Sequence, residues 1–142
     1  MLSVLRVLLT IFGVAAIAIC LSIVTVGPGD TAQMSELMFD ALTGRDGPLT
    51  GRWPATMDSE LRFYAPFWGA YGIVLIAVAR DLVRLGRWVP WLALLFFAGG
   101  LGRAISWATN GAPHPFFLIL MILELLLPPV LIVLWRFGRK TI

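Results

Sequence analysis

Charge is scarce in this sequence. Of 142 residues, 13% are Asp, Glu, Lys or Arg, against roughly 25% in a soluble domain. That shortfall excludes an ordinary water-facing surface and puts the chain in the membrane class. Cysteine occurs once, as Cys20, so no internal disulfide can form. Histidine also occurs once, as His114. With a single Cys and a single His no metal-ligand spacing exists, and neither a metal nor a cofactor is expected. No nucleotide-binding glycine loop and no nucleophile with a partner base is present. The net charge of +3 points to no nucleic acid, because the basic residues cluster at the ends of apolar runs.

Hydrophobicity is what the chain has in quantity: 59% of residues, with a mean hydropathy of +0.89. Four runs, about 4–26, 61–80, 89–108 and 116–136, are long enough to cross about 30 Å of hydrocarbon as helices. The first reads as a retained helix. It exceeds the ~7–15 residues of a signal-peptide core, and no small-x-small cleavage site follows it. Bulky Ile19 before Cys20 argues against lipoprotein processing. Ala18 with Ser22, and Ala65 with Gly69, give small-residue faces suited to close helix contact.

The first two runs are separated by a loop, 27–59. Gly27-Pro28-Gly29 ends the first helix. Met34, Leu37, Met38, Ala41 and Leu42 then recur at helical spacing, Asp30-x-x-Gln33 fits a capping pattern, and Gly44 can close the helix. This helix is too short to span and lies on the membrane surface or over the bundle. Residues 43–56 read as loop. Thr56, Asp58 and Glu60 mark a helix start, and Pro66 falls inside that helix. The expected fold is all-α: an integral membrane four-helix bundle with a short extracytoplasmic amphipathic helix between its first and second spans, forming a single domain over 1–142.

Orientation follows from basic residues in short loops. Arg6, Arg80, Arg84, Arg87, Arg136, Arg139 and Lys140 fall on one side. Arg45, Arg52 and Arg62 fall on the other, with Asp30, Glu36, Asp40, Asp46, Asp58 and Glu60. The bias predicts both termini inside.

The stretch 98–129 carries two charges where lipid-facing sequence forbids them, Arg103 and Glu124. Counted from the 107–116 boundary at 1.5 Å per residue, they lie roughly 6 Å apart in depth, a gap an arginine side chain can bridge. Ser106 shares the face of Arg103. Tyr71 reaches the depth of Glu124, and Glu60 and Arg62 enter from the same side. One outer-half pocket can therefore hold Arg62, Tyr71, Arg103, Ser106 and Glu124, with Glu60 at its rim. Ala98, Gly99, Gly100 and Gly102 strip side chains beside Arg103, which suits close packing or a cavity. Pro128 and Pro129 withhold donors from the carbonyls of Glu124 and Leu125 and favour a kink there. His114, between two prolines, reads as a loop-rim residue. Three roles stay open for the charged pair: a structural clamp, a ligand or lipid-headgroup site, and acid–base chemistry by Glu124.

The motifs Glu60-Leu61-Arg62-Phe63-Tyr64, Gly99-Gly100-Leu101-Gly102-Arg103-Ala104-Ile105-Ser106, Gly111-x-Pro113-His114-Pro115 and Leu123-Glu124-Leu125 with Pro128-Pro129 occur in order. As a set they resemble a bacterial membrane family known only as domain of unknown function 4345. More distantly the chain resembles DoxX-like four-helix membrane proteins, an analogy of fold that transfers no function. The resemblance implies a bacterial cytoplasmic (inner) membrane and the four-span architecture, and assigns no activity. Three functions compete. The first is a non-enzymatic module that binds a lipid or hydrophobic small molecule around Arg103 and Glu124. The second is an accessory or assembly subunit that meets another membrane protein, or its own copy, through small-residue faces. The third is a proton-coupled carrier or membrane isomerase using Glu124.

Overall fold

The computed structural model describes residues 1–45 and 47–139. Asp46 and Lys140, both counted for orientation above, lie outside the described residues. Every regular element among the described residues is helical. In order these are α1 (Leu2–Thr25), α2 (Pro28–Thr43), α3 (Ala55–Arg80), α4 (Leu82–Leu85), a 3-10 turn at Gly86–Trp88, α5 (Val89–Asn110) and α6 (Pro115–Gly138). Four units are long and apolar enough to cross a membrane: α1, α3, the stretch Leu82–Asn110 that contains α5, and α6. The chain is a multi-helix membrane protein with an all-α fold.

Local chemistry sets most boundaries. Gly27, at φ 106°, turns the chain between α1 and α2, and Pro28 opens α2. Gly44 closes α2 in the left-handed region at φ 68°. The capping pattern at Asp30 does not form: the cap is Gly27 and makes no side-chain cap bond. Asp30 sits in the first turn, where its charge still opposes the helix dipole. Likewise Pro54, not a hydroxyl or carboxylate, precedes α3. Asp58 pairs instead with Arg62 one turn later, at 2.7 Å. Asp81 caps α4 by accepting from the Arg84 amide, and Pro90 lies in the first turn of α5.

The helices pack as two close pairs, α1 on α3 and α5 on α6, with slighter contact between the pairs. Glycines set both close approaches. A Cβ on Gly72 would lie 2.6 Å from the carbonyl oxygen of Gly13, and one on Gly69 would lie 2.8 Å from Cys20 Sγ. In the other pair, a Cβ on Gly100 would meet Leu125 at 2.9 Å and Glu124 Cβ at 3.0 Å. The contact face of α1 is thus Gly13, Ala16 and Cys20. The expected Ala18–Ser22 face does not pack this way: Ala18 is exposed, and Ser22 bonds Thr31 of α2 at 2.9 Å. Ala65 and Gly69 are both buried.

Apolar packing concentrates at the end where α1 begins and α6 ends. Leu5, Leu9, Leu75, Val78, Val89 and Leu131 are nearly inaccessible there. Toward the middle, Phe12, Phe96, Trp68 and Tyr71 form a run of neighbouring rings between the two helix pairs, with centroids 5.2–6.3 Å apart. α6 continues through Pro128 and Pro129 as one helix.

The short helix α2 lies across the opposite end, touching α1, α3 and α6. Its orientation inverts a simple amphipathic expectation. Ala32 and Glu36 face inward, with Glu36 wholly inaccessible, whereas Met34, Leu37, Met38 and Leu42 are 50–80% exposed. The inward face is polar because the loop that follows supplies partners. Glu36 accepts from the backbone amide of Thr50 at 2.6 Å and from the Thr50 hydroxyl. Asp40 accepts from the Gly47 amide at 3.2 Å. Removing Glu36 strands two Thr50 donors, at about 1–2 kcal/mol. Glu36→Ala is therefore expected to lower the unfolding temperature in detergent and to speed tryptic cleavage after Arg45 and Arg52. Unchanged cleavage rates would mean that Glu36 does not hold the loop.

Candidate functional site

The site begins with one requirement: an ion inside a low-dielectric bundle needs a partner. α5 brings in Arg103 and α6 brings in Glu124, and Arg103 Nε donates to Glu124 Oε2 at 2.8 Å. Glu124 is 7% exposed, while the Arg103 side chain keeps 39% of its surface accessible. Gly100 lets the two helices approach where the pair forms, because a side chain there would collide with Glu124 and Leu125. Gly99 and Gly102 act differently. They border open space, and a Cβ on Gly102 would touch nothing within 4 Å. The glycine cluster thus serves packing on one side of α5 and a cavity on the other.

The pair is joined by a single hydrogen bond. The two terminal nitrogens of Arg103 and the Oε1 of Glu124 make no hydrogen bond to a described residue. The guanidinium also lies 5.7 Å from the centre of the Phe117 ring, within cation–π range.

Three cavities meet at Arg103. The innermost, about 180 Å³, runs from Arg103 and Glu124 past Trp68, Tyr71 and Phe96 to Leu131 and is almost wholly apolar. A lateral slot of about 490 Å³ lies between α3 and α5, which belong to different helix pairs and meet only loosely. Its walls include Tyr64, Trp68, Gly99, Gly102 and Ser106. The third, about 360 Å³, lies under α2 and the loop, bounded by Glu36, Thr50, Trp53, Ser106 and His114. Arg103 borders all three, Glu124 the first two, and Ser106 the last two.

Of the residues expected in one pocket, Tyr71, Arg103, Ser106 and Glu124 border one or more of these adjoining cavities. Tyr71 contributes its ring only, because its hydroxyl donates to the Leu92 carbonyl at 2.9 Å, toward the start of α5. Glu60 and Arg62 are not brought there. Arg62 is held by Asp58 and by the Val24 carbonyl, 2.7 Å away at the end of α1. It borders a separate recess with Asp30, Arg52 and Asp58. Glu60 is exposed, two residues from Asp58 and so on another face of α3.

His114 is not a loop-rim residue. It is 7% exposed, accepts from the Phe116 amide at 3.3 Å to cap α6, and faces Asp40 of α2 at 3.3 Å. Together with Glu36–Thr50, this contact ties α2 and its loop over the third cavity. Sequence reasoning missed that inward role for Glu36 and Asp40. The available signal was their spacing, i and i+4, which puts both on one face of α2. Among the described residues no group of three His, Cys, Asp or Glu could hold a metal ion.

Fold and site together define a class: a membrane protein with four long apolar helices in which a half-exposed Arg103 pairs with a buried Glu124 beside a cavity. The chain belongs to the family described as domain of unknown function (DUF4345), whose model matches residues 4–135. Neither a curated protein nor a solved structure matches it.

Proposed function

We propose that this protein is a non-enzymatic binding module that holds a lipid or other hydrophobic small molecule in the cavities around Arg103 and Glu124. One observation carries the reading. The pair uses one hydrogen bond and faces three cavities, rather than being enclosed by side chains. A clamp that only fixes helix contact is best served by a second, parallel bond and a sealed surround. Here polar atoms sit beside an aromatic and aliphatic chamber, the usual composition of a small-molecule site. In the same reading, the chain sits in a bacterial cytoplasmic membrane with both termini inside, and α2 covers the outer face.

The test is extraction of bound small molecules from protein purified in mild detergent, followed by mass spectrometry. Wild-type protein is expected to carry a specific molecule in near-stoichiometric amount. Glu124→Gln, if still folded by circular dichroism, is expected to retain less than half of it. Equal retention in the variant would oppose the reading.

A second reading has its own observation. Met34, Leu37, Met38 and Leu42 form an exposed apolar face on α2, which suits contact with another membrane protein or a second copy of this chain. An accessory subunit would pull down a stable partner through that face and would lose it in Leu37→Glu.

A further inference from the structure

We propose that the molecule this site takes is a neutral, single-bodied amphiphile whose head is a hydroxyl or carbonyl group, bound by the free edge of the Arg103–Glu124 pair. The inference rests on the binding-module reading and narrows it to one chemical class.

Charge comes first. Among the described residues, Arg103 and Glu124 are the only charged ones bordering the inner cavity and the lateral slot, and they neutralise each other at 2.8 Å. A charged head placed beside them would be a third, uncompensated ion in a low-dielectric space, which is strongly unfavourable. The cavity under α2 adds one charge, that of Glu36, which lines neither the inner cavity nor the slot. The Glu36 oxygens are already held by Thr50. His114, also on that wall, is turned to Asp40. No surplus cation is left to draw in an anion, and the one free carboxylate oxygen at the pair belongs to a group already bound to arginine.

Hydrogen-bond inventory comes second. The intact pair leaves N–H donors at the two terminal nitrogens of Arg103 and an acceptor at Glu124 Oε1. A carbonyl accepts from the first, and a hydroxyl engages both. Ser106 adds one more hydroxyl on the α2 side.

Size comes third. A cavity of about 150 Å³ holds one benzene-sized molecule. The inner cavity, at about 180 Å³, therefore takes a ring or the first segment of one chain, and not two acyl chains. Its apolar wall runs seven residues along α6 from Glu124 to Leu131, roughly 10 Å at 1.5 Å per residue. The lateral slot between α3 and α5 gives the remainder of the molecule a way out sideways.

The experiment uses the full chain in mild detergent with three photoactivatable probes sharing one alkyl chain: a fatty alcohol, the matching fatty acid and the matching amine. Labelled peptides are located by mass spectrometry. In the wild type the alcohol is expected to label cavity-wall residues at least about tenfold more than either charged probe. Charge variants should redirect this preference. Glu124→Gln leaves a net positive site and should favour the acid. Arg103→Gln leaves a net negative site and should favour the amine. A wild-type preference for the acid or the amine would overturn the inference while leaving the binding-module reading in place. So would an unchanged order of preference in both variants. Absence of labelling by all three probes would overturn both. The wild-type comparison stands even where a variant fails to fold.

Discussion

Glu124→Ala is expected to destabilise the protein by about 3 kcal/mol, and the double variant Arg103→Met/Glu124→Leu by much less. Breaking a buried ion pair by removing one partner usually costs about 3–5 kcal/mol, because the other ion is left uncompensated. The lower end applies here, since the Arg103 side chain retains 39% of its surface. Replacing both members with apolar residues of similar size is often neutral or stabilising. The measurement is unfolding of the two variants and the wild type in one detergent, followed by helical signal. The contrast matters more than either value. If the double variant is as unstable as Glu124→Ala, the pair is a structural clamp that packing cannot replace. If it is close to wild type, the charges are not needed for folding, and their presence in an apolar bundle calls for another role.

The second large effect concerns the α1–α3 contact. Gly72→Leu is expected to destabilise by about 3 kcal/mol, the upper part of the range for overpacking. The first atom added at Gly72 would lie 2.6 Å from a backbone oxygen and 3.1 Å from Ala16 Cβ. Backbone cannot rotate aside, so the helices must separate along the whole interface. Even Gly72→Ala should lose stability, although alanine favours a helix over glycine by about 1 kcal/mol. Gly102→Ala provides the control. It meets open space and is expected to gain up to about 1 kcal/mol from helix propensity. If Gly72→Ala and Gly102→Ala behave alike, glycine does not set the approach of α1 and α3.

These two predictions mark what the sequence made legible. Four apolar runs gave the spans because length and hydropathy are local properties. Arg103 and Glu124 stood out because charge in hydrocarbon is rare. Their depths alone put them within one side chain of each other, and the fold joins them at 2.8 Å. Arg62 was misplaced for a reason that is also local. Asp58 one turn earlier and the unsatisfied carbonyl of Val24 at the end of α1 take its donors. Entering from the same side as the pocket does not by itself turn a side chain into it.

The i, i+4 spacing of Glu36 and Asp40 put both on one face of α2, but that this face turns inward was not legible. Spaced methionines and leucines on a short helix ordinarily face the protein, with acids in water. Here the loop after α2 folds back and supplies Thr50 and Gly47 as donors to Glu36 and Asp40. That makes the polar side the buried one. Pairings across 14 residues and, for His114 and Asp40, across 74 residues carry no periodic signal. The glycines beside Arg103 left a cavity open as one of two readings, but its extent was out of reach. Its existence depends on two helix pairs that each pack closely and meet one another loosely, and packing between pairs is a tertiary property.

Whether the Arg103–Glu124 pair is a site or a clamp is decided most directly by native mass spectrometry of the wild type and of Arg103→Met/Glu124→Leu, both released gently from detergent. The wild type should fly with one small bound molecule per chain, and the double variant should be folded and bare. A wild type without any bound molecule, or a double variant that keeps the same one, would contradict the assignment of a binding site to this pair.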